Sequence, residues 1–319
     1  MDAEISALRR APAPLIHAAD AIHMGAHPAD DSALHRVRRA VYTPRHDWEA
    51  LPEWDRYLLR VHAFALTRPD AVFSHESAAA LLGLPIFGHP RHIHIFDARR
   101  ERSLVYGDVV AHTSADSRPT RELGGIHICT VDDVVLDLAR VLPPAFGLAV
   151  GDAAVRAGGL EPPHLVERAA LQRNPNGRKR LDWVVERIDA RAESVVESVS
   201  RAVIEWCGFP QPELQSEHRV AGRLYRSDFC WPGHKVIGEA DGWSKYDPAD
   251  ARRAAEAVRN EKRREDALRR AGWRVARWDY ADALRVDGLR EALSRAGLPA
   301  VTRPNTAALR SVGVNRRSL

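Results

Sequence analysis

Lysine is nearly missing from this chain: of 47 basic residues among 319, four are lysine (Lys179, Lys235, Lys245 and Lys262). Where arginine is written almost everywhere, a retained lysine marks a place where a compact, titratable ammonium can do what a rigid, permanently charged guanidinium cannot. The plainer account is that a few lysines survive by chance. Cysteine is also scarce. Cys129, Cys207 and Cys230 lie far apart with no C-x-x-C spacing, which implies neither a disulfide framework nor a zinc ribbon. No apolar run approaches the length of a membrane span, and the opening MDAEISALRR lacks the apolar core of a signal peptide. A cytoplasmic protein with no membrane partner is therefore expected. Strong net charge is absent too: +4, with a pI near 9.1, permits a nucleic-acid partner without demanding one. What remains, 45% hydrophobic and 28% charged residues, is the composition of a globular chain with real cores. The length suits two or three domains.

Toward the front, Leu15, Ile16, Ala19 and Ile22 recur at helical spacing until Gly25, and a second short helix is expected from Ser32. Arg36 to Pro44 then reads as a basic wing ending in a strand. Arg36, Arg38 and Arg39 are the residue type that meets a phosphate backbone; the alternative is a solvated basic turn. Residues 46–175 read as an α/β module. It has an amphipathic helix from Asp55 to Leu66, and Ser74 caps a helix that stops at Gly83. Strands follow at His92–Phe96 and Gly125–Cys129, then a helix capped by Thr130 with Asp132 and Asp133 at its positive end. His92 and His94 share a strand face, but no carboxylate or cysteine completes a metal set. Asn174 to Arg180 is a polar, basic turn. Residues 299–319 are short of large apolar side chains and read as a disordered tail.

The segment from Glu193 to Asp282 carries the chemistry. A helix from Glu193 to Trp206 sets Glu193 and Glu197 one turn apart on one flank. A meander follows: Gln215 to Val220, a turn at Ala221-Gly222, then Arg223 to Phe229, a turn at Pro232-Gly233-His234, and Lys235 to Gly242. A turn centred between Gly233 and His234 puts Asp228 opposite Glu239 and Arg226 opposite Asp241. Period-two alternation then sets Asp228, Glu239 and Asp241 on one face. Like charges so opposed destabilise a sheet unless compensated, and a divalent cation with oxygen ligands, Mg²⁺ or Mn²⁺, is the economical compensation. The alternative is an acidic sheet end splayed into solvent. A long charged helix from Pro248 to Ala271 follows. Arg263 and its neighbours either hold phosphates or form a salt-bridged solvent face. Gly272 ends that helix before a final strand at Trp273 to Trp278.

The order of helix glutamate, Tyr225-Arg-Ser-Asp228-Phe, Gly238-Glu-Ala-Asp-Gly, charged helix and Gly-Trp-x-Val-x-Arg-Trp strand resembles the very-short-patch-repair-endonuclease-like branch of the PD-(D/E)XK nucleases. The resemblance covers about a third of the chain. It implies a restriction-endonuclease-like mixed sheet flanked by helices, and metal-dependent phosphodiester cleavage. Asp228 matches the motif aspartate, Glu239 its acidic partner, and Glu197 the helix glutamate near the metal. The sequence departs at position 241, where the pattern wants lysine and Asp241 stands, as in other members of this branch. Lys245 or Lys262 is then the candidate for the displaced ammonium. Arg36–Pro44 and Ser74–Pro85 resemble the abortive-infection type IV (AbiEi-like) antitoxins, which join a winged helix to an α/β domain and repress transcription.

Together these readings give an α/β chain of four parts: a winged helix (1–45), an α/β module (46–175), a nuclease-like domain (176–298) and a tail (299–319). The expected activity is a Mg²⁺- or Mn²⁺-dependent DNA endonuclease directed to DNA by its N-terminal module. The catalytic set is Asp228, Glu239, Asp241, Lys245 and Lys262; Asp228, Glu239, Asp241 and Glu197 hold the metal. Arg36, Arg38, Arg39, Arg226 and Arg263 meet DNA. The rival is a non-catalytic DNA-binding regulator whose nuclease fold serves binding or a homodimer, and a third reading is a protein-interaction module.

Overall fold

A computed structural model describes residues 7–220, 222–241 and 263–318, and these form an α/β protein of helices with mixed and antiparallel sheets. They divide into two compact units. The first comprises the described parts of 1–142, 157–186 and 315–319; the second comprises 143–156 and 187–314. The division differs from one drawn at 45, 175 and 298: residues 143–156 leave their chain neighbours for the second unit, and 315–319 return to the first. No helix among the described residues is long and apolar enough to cross a membrane.

The first unit opens with an antiparallel sheet of β1 (Ile16–His17), β2 (Leu34–Arg38) and β3 (Val41–Pro44), in the order β1-β3-β2, with the helix Ala18–His23 after β1. The helix expected from Ser32 is strand β2 instead. Its residues pair with β3, whose Val41, Tyr42 and Thr43 are buried, so tertiary pairing overrides local preference. Ala40 closes this hairpin at φ 64, a left-handed conformation few non-glycine residues adopt.

A six-stranded sheet follows, built from β4 (Val72–Phe73), β5 (Ile93–Phe96), β6 (Leu104–Tyr106), β7 (Val109–His112), β8 (Thr120–Leu123) and β9 (Ile126–Cys129). Its order is β6-β7-β5-β4-β9-β8, with β5–β7 and β4–β9 parallel. The helix Glu53–Thr67 buries Tyr57, Leu58, Val61 and Phe64 at helical spacing. The helix His75–Leu82 ends at Gly83 (φ 74) as its sequence requires. Ser74 stands at its N-cap position, but its Oγ meets His75 Nδ1 at 3.2 Å and caps no amide. Asp132 and Asp133, in the first turn of the helix Val131–Val141, are gathered by Arg168 at 3.0 and 2.8 Å.

This unit has a polar interior. Glu76, His75 and His94 are buried, and His94 Nδ1 lies 2.9 Å from His112 Nε2. Arg317 reaches this interior and forks onto the Glu76 carboxylate, with Nη2–Oε2 at 2.6 Å. The expected disordered tail is therefore ordered over its described part. Asn305 caps the helix Thr306–Leu309 in the second unit; beyond it, Ser318 Oγ accepts from the His89 amide at 2.7 Å in the first. Composition misled here because a few charged anchors, rather than apolar bulk, fix the segment.

In the second unit, β10 (Glu213–Val220), β11 (Arg223–Trp231) and β12 (Val236–Asp241) form the expected antiparallel meander. Strand β13 (Arg274–Asp279) adds in parallel beside β12, giving a mixed sheet in the order β10-β11-β12-β13. The helix Val195–Trp206 packs on the face bearing Phe229 and Trp278, where Trp278 Nε1 donates to Ser200 Oγ at 2.7 Å. Gly238 lies on that face because a Cβ there would sit 2.6 Å from the Trp278 ring. Fully buried Asp152, on the helix Pro144–Arg156, accepts from Arg201 of the long helix at 2.8 Å. Residues 263–270 are helical and precede β13. Lys235 takes φ 50 after the Pro232–His234 turn and lies 4.6 Å from the Trp273 ring centroid, which gives this scarce lysine a packing role.

Candidate functional site

The site in the second unit begins at the N-terminus of the helix Val195–Trp206. Ser194 stands at the N-cap and its Oγ accepts from the Glu197 amide. The same hydroxyl donates to Glu197 Oε1 at 2.8 Å, while Oε2 accepts from the Glu193 amide at 2.9 Å and from Gln215 Nε2 at 2.8 Å. The Ser194 Oγ–Glu197 amide bond is half of a capping box, and the Glu197 carboxylate reaches back one residue further, to the Glu193 amide, a local role that its motif match had hidden. Three donors fix the carboxylate in place. Burial nevertheless pushes the Glu197 pKa upward, outweighing those hydrogen bonds, and the charge of Asp228 adds to the rise.

At Asp228 the sheet opens on both sides. Strands β11 and β12 pair Trp231 with Val236, Cys230 with Ile237 and Phe229 with Gly238, and the pairing stops there. That is the register expected from the sequence; carried one residue further it sets Asp228 opposite Glu239. In place of a further rung, the Ala240 amide donates to Asp228 Oδ2 at 2.8 Å. On the other side the ladder skips Gln215, which adopts φ 54 and turns toward Glu197. A non-glycine residue held at positive φ costs free energy and persists only where its surroundings hold it, often at functional sites.

The cations differ more from expectation than the acids. Arg226 does not face Asp241: its guanidinium pairs with Glu193 at 2.7 Å, because the β11–β12 ladder ends short of that rung. Asp241 lies at the half-exposed end of β12, in register with Asp279 of β13. Glu239 is held by Arg264 at 2.6 Å, and the same guanidinium donates to the Arg226 carbonyl. Arg277 stands next to Glu239 in the parallel register. Arg264, Arg277 and Gln215 are thus site residues that the sequence reading missed. Arg263, one position from Arg264, is exposed. Lys245 and Lys262 lie outside the described residues. Among the described residues, no group of three or more histidine, cysteine, aspartate or glutamate side chains is arranged to hold a metal. Asp228 and Glu239 each carry the hard oxygen donors that suit Mg²⁺, an ion content with one or two carboxylates plus waters and phosphate oxygens.

In the first unit, Arg36 and Arg39 are exposed on the β2–β3 hairpin. Arg38 is committed elsewhere. It forks onto the Asp108 carboxylate, with Nη2–Oδ1 at 2.9 Å, and its guanidinium lies 5.0 Å from the Phe64 ring centroid. His94, half of the histidine pair noted in the sequence, faces Glu76 and His112.

No family model matches the chain. It is similar to uncharacterized proteins of Mycobacterium tuberculosis, one from strain CDC 1551 / Oshkosh and one from strain ATCC 25618 / H37Rv. Each is 28% identical over 206 residues, a stretch covering 64% of this chain and 73% of the relative.

Proposed function

We propose that the second unit is a divalent-metal-dependent endodeoxyribonuclease and that the first unit brings it to DNA. The observation that carries this reading is the opening of the sheet at Asp228. There the register, carried one residue further, sets Asp228 toward Glu239 on the adjacent strand, and the charge of Asp228 acts on the buried helix glutamate Glu197. Glu239 already has a cation in Arg264 and Asp228 an amide donor, so a divalent ion would join an occupied set of hard oxygen donors of the kind it prefers. Asp228 and Glu239 are the residues that would hold Mg²⁺ or Mn²⁺, which supplies polarisation of the scissile phosphate and a more acidic water. The chain's own part is positional. Arg264 orients Glu239, the Ala240 amide orients Asp228, and Gln215 with Ser194 orients Glu197. This reading assigns the second unit to the very-short-patch-repair-like branch and the first to the type IV antitoxin kind, as a cytoplasmic protein.

One set of observations favours the rival, a non-catalytic DNA-binding regulator of antitoxin type whose nuclease fold serves binding or a homodimer. Glu239, Asp228 and Glu197 each have protein partners, and the motif lysine position holds Asp241. The two separate on incubation of the full chain with plasmid and single-stranded DNA, with and without Mg²⁺ or Mn²⁺. Metal-dependent cleavage that disappears in Asp228→Ala and Glu239→Ala establishes the nuclease. Salt-sensitive binding without cleavage under any metal establishes the regulator.

A further inference from the structure

The first unit contains a cleft of about 840 Å³ that the acidic site does not use. Its walls come from three separate stretches of chain. Arg39 lies at the β2–β3 hairpin turn, Arg68 at the C-terminal end of the helix Glu53–Thr67, and Arg99 and Arg100 in the β5–β6 loop. Tyr106, on β6, adds an aromatic wall.

Phe64, Ile95 and Val109 in the lining are buried, while the arginines at the rim are presented to solvent. The Arg99 side chain is 92% exposed, and Arg39 and Arg68 are exposed as well. Asp97 steadies the loop: Arg99 Nε lies 3.2 Å and Arg100 Nε 3.1 Å from its carboxylate oxygens. The Arg100 guanidinium is 5.9 Å from the Tyr106 ring centroid. Strand β6 is an edge of its sheet, with Leu104, Val105 and Tyr106 all exposed. Of these, Tyr106 lines the cleft, where arginines outnumber the carboxylates Asp70, Asp97 and Asp108; that wall suits a ligand with both a flat apolar face and anionic groups. A single-stranded nucleic acid has both. Its phosphates suit guanidinium forks, and its unstacked bases suit an aromatic ring next to an arginine. A cleft of this size is in the range of small-ligand sites, which admits a few nucleotides and not the body of a duplex.

We propose that this cleft binds a short single-stranded segment of DNA, with its phosphates on Arg39, Arg68 and Arg99 and a base on Tyr106. The inference rests on the nucleic-acid reading above for the class of ligand, and on nothing in the acidic site.

The test uses the full chain in EDTA, so that no cleavage intervenes, and a fluorescein-labelled oligothymidylate of about 12 nucleotides. Anisotropy titrations are run across a salt series for wild type, for Tyr106→Ala and for the triple variant Arg39→Glu, Arg68→Glu, Arg99→Glu. A second triple variant, Arg290→Glu, Arg295→Glu, Arg310→Glu, makes the same change in net charge at exposed positions of the other unit. The cleft triple variant is expected to weaken binding at least 100-fold. Its slope of log affinity against log salt should be shallower by about 2, since each phosphate left without its arginine removes about 0.7. Tyr106→Ala should weaken binding by roughly 5- to 100-fold, and the control triple variant by less than 5-fold.

Equal losses in the two triple variants would overturn the proposal, as would tighter binding of the same sequence as a duplex, or no binding by wild type. Displacement of the oligomer by AMP at micromolar concentration would also overturn it, in favour of a mononucleotide pocket. Plasmid cleavage is scored separately. A chain that cleaves nothing but loses single-strand binding in the cleft variants keeps this inference and loses the nuclease. A chain that cleaves and binds undiminished through those variants does the reverse.

Discussion

Replacing Arg317 by methionine removes the cation from a carboxylate that has little water to turn to. Glu76 is 4% exposed. Burial pushes its carboxyl upward, but the Arg317 hydrogen bonds and the nearby positive charge more than offset this and hold its pKa near 2. The difference between about 2 and the ordinary 4.5, at 1.36 kcal/mol per pH unit, is about 3 kcal/mol of stability for the first unit. The sign follows from the direction: a depressed carboxylate contributes fully above pH 4.5 and loses its contribution as pH falls toward 2. In Arg317→Met the main offset to burial is gone, leaving His94 and a backbone hydrogen bond, so Glu76 should titrate higher than in wild type and its contribution to the acid slope should shrink. His94 and His112, held low chiefly by burial, also lose stability on acidification. The diagnostic is therefore the difference between the two proteins' curves. Thermal unfolding at pH 7 should show a drop of roughly 6–12 °C for a unit of this size. Glu76→Gln combined with Arg317→Met should recover part of it, since no buried charge is then left unpaired. A change below about 1 kcal/mol, or an acid slope in Arg317→Met identical to that of wild type, would refute the reasoning.

Two predictions concern the second unit. Arg264→Met should reduce metal-dependent cleavage at least 10-fold while tightening Mn²⁺ binding by calorimetry, because a competing cation leaves Glu239; Arg264→Lys should restore part of the cleavage, and a variant unchanged in both readouts would remove Arg264 from the site. Gly238→Ala should cost about 1–3 kcal/mol in urea denaturation, because its Cβ would meet the Trp278 ring at 2.6 Å and Phe229 Cβ at 3.1 Å; a loss too small to measure would mean that Trp278 moves freely.

What the sequence disclosed was local or periodic. The helix ending at Gly83, the helix Val195–Trp206 and the meander β10–β12 all follow from spacing and turn residues, and so does the register at Pro232–His234. The errors fall where distant chain decides. Leu34–Arg38 is a strand because β3 needs a partner, and Arg317 is ordered because Glu76, 241 residues away in the chain, needs a cation. Nothing in either local stretch announces that need. The same holds for the units: the helix Pro144–Arg156 leaves its chain neighbours because Asp152 finds Arg201.

The acidic site divides along the same line, and the division bears on chemistry. Strand register is a local property, so the pairing of Phe229 with Gly238, one rung before Asp228, could be read from the turn. The cation at Glu239 is a matter of helix placement, and Arg264 stands in a run of like residues that gave no reason to prefer it over Arg263. A guanidinium does not replace a lysine in every respect. It stays protonated, so Arg264 can orient Glu239 and hold a phosphate oxygen, but it can neither take nor give a proton at neutral pH. In the proposed nuclease the proton chemistry therefore falls to another group. Glu197 is one candidate: burial and the charge of Asp228 both push its carboxyl upward. Arg264 therefore supplies charge at Glu239, and in the proposed nuclease a proton would have to come from a group other than this guanidinium.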